Sequence, residues 1–121
     1  MGDYRKLKVW EKAHAMALCA CRVLQKIKSG PYSCVRNQMI RAALSVPTNI
    51  VEGAAQESVR EFNRFVRYSI NSANEAEYHC LVARDLDLIR REDHKLLEGQ
   101  LEEVRRMLYG LQRGLKGKPS S

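Results

Sequence analysis

The side chains best able to do chemistry in this sequence are cations set at helical spacing. Arg60, Arg64 and Arg67 fall at i, i+4 and i+7, which at 3.6 residues per turn puts them within about 60° of one another on a helix wheel. Lys8, Lys12, Arg22 and Lys26 gather in the same way, on the side of their segment away from Trp10 and Ala17. Such a row can neutralise successive phosphates of RNA or DNA without reading the bases. It can equally be the solvated outer face that any amphipathic helix needs. Two details favour the first reading: the later row is all arginine, and neither Arg60 nor Arg67 has an acid four residues before it. The formal net charge of +7 points the same way, because a basic surface attracts polyanions.

Other reactive types are present but poorly arranged for catalysis. His14, His79 and His94 fall on three different segments. A di-metal carboxylate bundle needs a Glu-x-x-His pair on each of two helices and a Glu from each of two more. That pair of motifs is absent, and Glu75 with His79 is spaced i, i+4 instead. No metal and no cofactor are expected. Cysteines 19, 21, 34 and 80 include no C-x-x-C pair, so they read as buried or half-buried free thiols in a reducing cytoplasm. Neither a G-x-S-x-G elbow nor a phosphate-cradling glycine loop occurs. An enzyme is therefore not expected.

A second polar group surrounds Pro47. Asn37, Arg41, Ser45, Thr48 and Glu52 share a narrow sector of one wheel, with Arg41 a candidate partner for Glu52 or for an acid on a neighbouring helix. They could line a subunit junction or a ligand groove. Alternatively, Ser45 and Thr48 satisfy carbonyls that the proline leaves without a partner.

The elements that carry these groups follow from apolar periodicity. Val9, Ala13, Met16, Ala20 and Leu24 mark a helix over about 7–28, which Gly30 and Pro31 stop. The second helix spans about 32–54 and is apolar on two flanks, Val35, Met39, Ala42, Val46 and Ile50 on one and Ile40, Leu44 and Val51 on the other. Its proline predicts a kink, and its two flanks predict burial by more than one neighbour. Ser58 and Glu61 form a capping-box signature for a third helix, about 59–89. After a polar corner at 90–93, leucines from Leu97 to Leu115 mark a fourth. No segment alternates like a strand. The expected fold is all-α: an up-and-down four-helix bundle with a proline-kinked second helix, in one domain over 1–115, with a disordered C-terminal tail over 116–121. No run is long and apolar enough for a membrane span, and the first residues lack a secretory h-region, so a cytoplasmic location without membrane contact is expected.

Three strings carry a family resemblance: Tyr4 to Trp10, Gln38 to Gly53, and Glu61 to Phe65. Together they resemble the four-helix-bundle proteins encoded in intervening sequences of bacterial 23S ribosomal RNA genes. Those are related to the accessory variability determinant of diversity-generating retroelements. The core Arg41-Ala-Ala-x-Ser45-x-Pro47-x-Asn49-Ile-x-Glu52-Gly53 is the most specific part. The resemblance implies a non-enzymatic homo-oligomer, commonly a pentameric ring, with a basic surface. In retroelement relatives it implies a reverse transcriptase and nucleic acid as partners. It marks Arg41, Ser45, Pro47, Asn49, Glu52 and Gly53 as architecture. Two functions follow: a scaffold that binds RNA or DNA through basic helix faces, or a protein-interaction module whose charge serves solubility alone.

Overall fold

The structure, a computed structural model, describes residues 2–118. A short 3-10 turn, Tyr4–Lys6, precedes four helices: α1 Lys8–Leu24, α2 Ser33–Ala54, α3 Val59–Asp85 and α4 Arg91–Lys116. Among the described residues there is no strand. Each helix packs on the next, and α4 also packs on α1, while the backbones of α1 and α3 do not come close. The helices thus stand at the corners of a square, with α1 diagonal to α3. This is the all-α up-and-down bundle that the periodicity predicts.

The helix ends show local chemistry at work. Ser58 caps α3, its Oγ accepting from the Glu61 amide at 3.1 Å. Only this half of the capping box forms, because the Glu61 carboxylate turns to Arg64 instead. Two predicted boundaries shorten. The first helix stops at Leu24, and Arg36 Nη1 donates to the freed Ile27 carbonyl beyond it at 2.7 Å. At the far end of α3, Asp87 adopts a left-handed φ of 56°. The Leu88 amide then reaches back to the Ala83 carbonyl and the Asp87 amide to that of Arg84. Those two bonds are the Schellman pattern, here closed by aspartate in place of glycine. The fourth helix starts earlier than predicted, at Arg91, and includes Lys116. Gly117 and Lys118 continue as a turn, their amides bonded to the Arg113 and Leu115 carbonyls. The expected tail over 116–121 is thus helical at Lys116 and in a turn at 117–118, and its remainder, 119–121, lies outside the described residues.

Pro47 removes the amide that would bond the Ala43 carbonyl, and side-chain hydrogen bonds gather on the carbonyls next to it. The proline is buried inside a continuous α2, so it neither ends nor interrupts the helix. The three carbonyls before it each take a side-chain bond. Thr48 Oγ1 donates to Leu44, Asn49 Nδ2 to Ser45, and the fully buried Ser69 of α3 to Val46, all at 2.8 Å. Ser45 takes a different part from the one expected. Its hydroxyl accepts from Asn49 and from Ser72 of α3. Gly53 marks a close approach of α2 to α3. A Cβ there would stand 2.9 Å from Phe62 Cδ1 and from Phe65 Cβ. Arg41 and Glu52 are exposed and form no ion pair among the described residues. Eleven residues of helix separate them by about 16 Å, too far to pair.

Candidate nucleic-acid interface

Because α3 and α4 run antiparallel from the corner near Leu88, the start of α3 lies beside the end of α4. Arg60 there shares a cleft of about 180 Å³ with Asn63, Lys116 and Lys118, floored by Val59 and Leu115. Farther along the same seam Arg67 lines a second cleft, of about 250 Å³, with Tyr68, Ile70, Asn71, Tyr109 and Gln112. No aspartate or glutamate lines either cleft. The Asn63 carbonyl oxygen is shielded and has no hydrogen-bond partner in the structure. Next along the seam, Arg105 ties the helices together, donating to Glu77 at 2.7 Å and to Asn74 at 3.3 Å. Beyond that tie the character changes. A cleft of about 540 Å³ there mixes Arg84, Arg91 and Lys95 with Asp85, Asp87 and Glu98. Positive charge without acid is therefore confined to one half of the seam. Clefts lined by one sign of charge focus the field on an approaching polyanion.

The structure gives the three arginines of the predicted row different surroundings. Arg60 and Arg67 are exposed, each in its own cleft. Arg64 is occupied. It bonds Glu61 at 2.8 Å and the Tyr68 phenol at 3.2 Å, and its guanidinium lies over the Phe65 and Tyr68 rings. The Glu61 carboxylate, followed by the Tyr68 phenol, holds its pKa above the ordinary arginine value. Arg64 braces a tyrosine and is not a free cation.

Nor does the row on α1 join the one on α3, since the two helices are diagonal. Lys12 stands 3.4 Å from Glu103 of α4, and Lys26, past the end of α1, stands 3.8 Å from Asp93. These exposed pairs contribute little stability, but they set acids within the row. Lys8 and Arg22 are exposed and without an ion pair among the described residues.

The remaining reactive groups are dispersed. His14 stacks on Trp10 with ring centroids 5.0 Å apart. His94 is buried with Glu98 3.9 Å away. Cys80 is buried, and that burial pushes its thiol up to about 11. Cys34 is exposed, contrary to the expectation of buried or half-buried thiols throughout. Among the described residues no three His, Cys, Asp or Glu side chains are placed to hold a metal ion. No described helix is long and apolar enough to cross a membrane.

Comparison with known proteins places the chain. The model of the 23S rRNA-intervening sequence protein family matches residues 5–110. The chain belongs to that family. A solved structure from Bacteroides thetaiotaomicron, described as a protein with unknown function from the S23 ribosomal protein family, has the same fold. The two share a TM-score of 0.80 at 20% identity, over 87% of this chain and 98% of that one. No curated protein matches the sequence significantly.

Within this family member, part of the basic seam lies outside the matched segment: Lys116 and Lys118 follow residue 110. The helix periodicity places Lys116 and Lys118 in a tail and does not single out Tyr68, Tyr109 or Gln112. A signal for them was present. Leu88, at the corner, is equidistant in sequence from Arg60 and Lys116, and again from Arg67 and Tyr109. Folding the two wheels about that corner brings each pair together.

Proposed function

We propose that this chain is a non-catalytic, self-associating bundle that binds RNA or DNA through the α3–α4 seam, by its phosphates and without base-sequence specificity. One observation carries the reading: Arg60, Lys116 and Lys118 converge on a cleft with no acid, and Arg67 extends the same seam. The +7 charge supplies long-range attraction, and the seam supplies the place of contact. Each phosphate neutralised releases condensed counterions, so binding should weaken steeply with added salt. Gel shift against generic RNA at moderate salt tests this, using Arg60, Arg67 and Lys116 all replaced by glutamate. Binding should be lost, with helicity by circular dichroism intact. Retention of full binding would refute the seam. The reading extends to a retroelement accessory role where a reverse transcriptase gene adjoins this one, since template RNA is the same kind of partner.

Self-association has its own support. The second apolar flank of α2 remains uncovered, with Leu44 43% exposed and Ile40 and Val51 half-buried beside it. A second copy would cover that flank and leave the α3–α4 seam free. Mass in solution tests it, and a Leu44→Lys variant should shift the mass toward the monomer.

A further inference from the structure

The second cleft of the seam holds more than a phosphate needs. Tyr68 of α3 and Tyr109 of α4 both line it and are 40% and 41% exposed. Asn71 and Gln112 add two amides, each able to donate and to accept, and Arg67 adds a positive charge. The volume, about 250 Å³, matches roughly eight waters at about 30 Å³ each. Pockets for drug-sized ligands begin at about 300 Å³. A single planar ring system with polar edges suits the space.

The Tyr68 ring is held in place. Arg64 donates to its hydroxyl at 3.2 Å and is itself anchored on Glu61 at 2.8 Å. Phe65 meets the ring edge to face, with centroids 5.6 Å apart. A ring fixed before binding loses little freedom when a second ring stacks on it. The most exposed tyrosine, Tyr78, lacks this setting, since Glu77 and Glu98 line its cleft. Acids there would repel the phosphates that accompany a base.

We infer that the Tyr68–Tyr109 cleft takes one unstacked nucleobase of a single strand, whose flanking phosphates lie along Arg67, Arg60, Lys116 and Lys118. The inference rests on the nucleic-acid reading above and deepens it, naming single strands over duplexes. A duplex keeps its bases stacked inside and can offer the seam only phosphates. Base stacking on an aromatic ring tolerates any base, which agrees with binding that ignores sequence. The amides would then meet the edge of whichever base enters.

Fluorescence anisotropy at low salt tests this with three labelled probes of equal length: oligothymidylate, an abasic strand with the same phosphates, and a duplex. The base-bearing strand should bind about tenfold or more tighter than the abasic strand, as loss of stacking on one or two rings implies. Replacing Tyr68 and Tyr109 together by alanine should erase that difference, and the paired Tyr→Phe replacements should keep it. Should the alanine variant not fold, the parent's own comparison of the two strands decides. The inference is overturned if the abasic strand or the duplex binds the parent as tightly as oligothymidylate. If the glutamate variant of the seam still loses all three probes, the phosphate reading survives that failure. If no probe binds the parent at low salt, both readings fall together.

Discussion

The two cationic rows look alike in the sequence and differ in the folded chain. In the row along and just past α1, two of four cations face acids of α4, Lys12 with Glu103 and Lys26 with Asp93. At the α3–α4 seam, Arg60 and Arg67 meet Lys116, Lys118, two tyrosines and amides, with no acid in either cleft. What separates the rows is the neighbouring helix. The half of α4 facing α1 carries Asp93 and Glu103, while its last turns bring lysines to the start of α3. A charge row becomes a site through what packs beside it, and a single wheel does not contain that information.

The comparison can be strained first by disturbing the approach of α2 to α3, which sets where α3 stands. A Gly53→Ala substitution puts a methyl against Phe62 and against the Cβ of Phe65, and the latter cannot move without its backbone. Unfolding in urea should show a loss of about 1–3 kcal/mol, the usual range for overpacking. Affinity of the still-folded protein should fall only a little, through Phe65, which also packs on Tyr68. A large loss of affinity at unchanged helicity would mean that the seam depends on α2 as well.

A smaller effect sharpens the other side. Glu103→Gln frees Lys12 from its partner. If bound strand follows the α3–α4 seam, affinity should change by less than about twofold, given the small energies of exposed pairs. A salt dependence steeper by about one single-strand phosphate contact, a slope change of about 0.7, would show that α1 touches the nucleic acid after all.

The smallest effect concerns the far half of α3. Cys80 has its thiol pKa raised by burial, from 9.0 to about 11, so the folded state favours the protonated form. Stability from this group is complete below about pH 9 and is lost as pH rises through about 11. A Cys80→Ala variant should therefore show a shallower fall in unfolding free energy between those values than the parent. Nucleic-acid affinity at neutral pH should be unchanged, because Cys80 lies beyond the Arg105–Glu77 tie.

Much of the architecture was legible from period alone. The apolar stripes named four helices and their core, including Met16, Met39, Ile50, Leu101 and Leu108, all essentially buried. Ser58 announced the start of α3. Helix ends were harder, because α3 closes on Asp87 in a left-handed conformation that glycine more often adopts. At Pro47 the helix α2 runs on without a break, as a bent or a straight helix would. The neighbouring carbonyls are bonded by side chains, one of them Ser69, twenty-odd residues away and invisible to a local reading. Of the proposed seam, spacing alone singles out Arg60 and Arg67. The wheel does not show that Arg64 bonds Glu61 at i−3 and Tyr68 at i+4. Lys116 and Lys118 were missed because their meaning depends on antiparallel register and not on their own segment.

The most direct test moves charge without changing its total. One variant replaces Arg60, Arg67, Lys116 and Lys118 with glutamine. The other replaces Lys8, Lys12, Arg22 and Lys26 in the same way, so both carry the same net charge. The quantity measured is the slope of log affinity for a single strand against log salt. The account predicts that the seam variant loses most of that slope, roughly 0.7 for each single-strand phosphate contact removed, while the α1 variant keeps it. Equal losses in both would mean that net charge alone drives binding and that the seam is not a site.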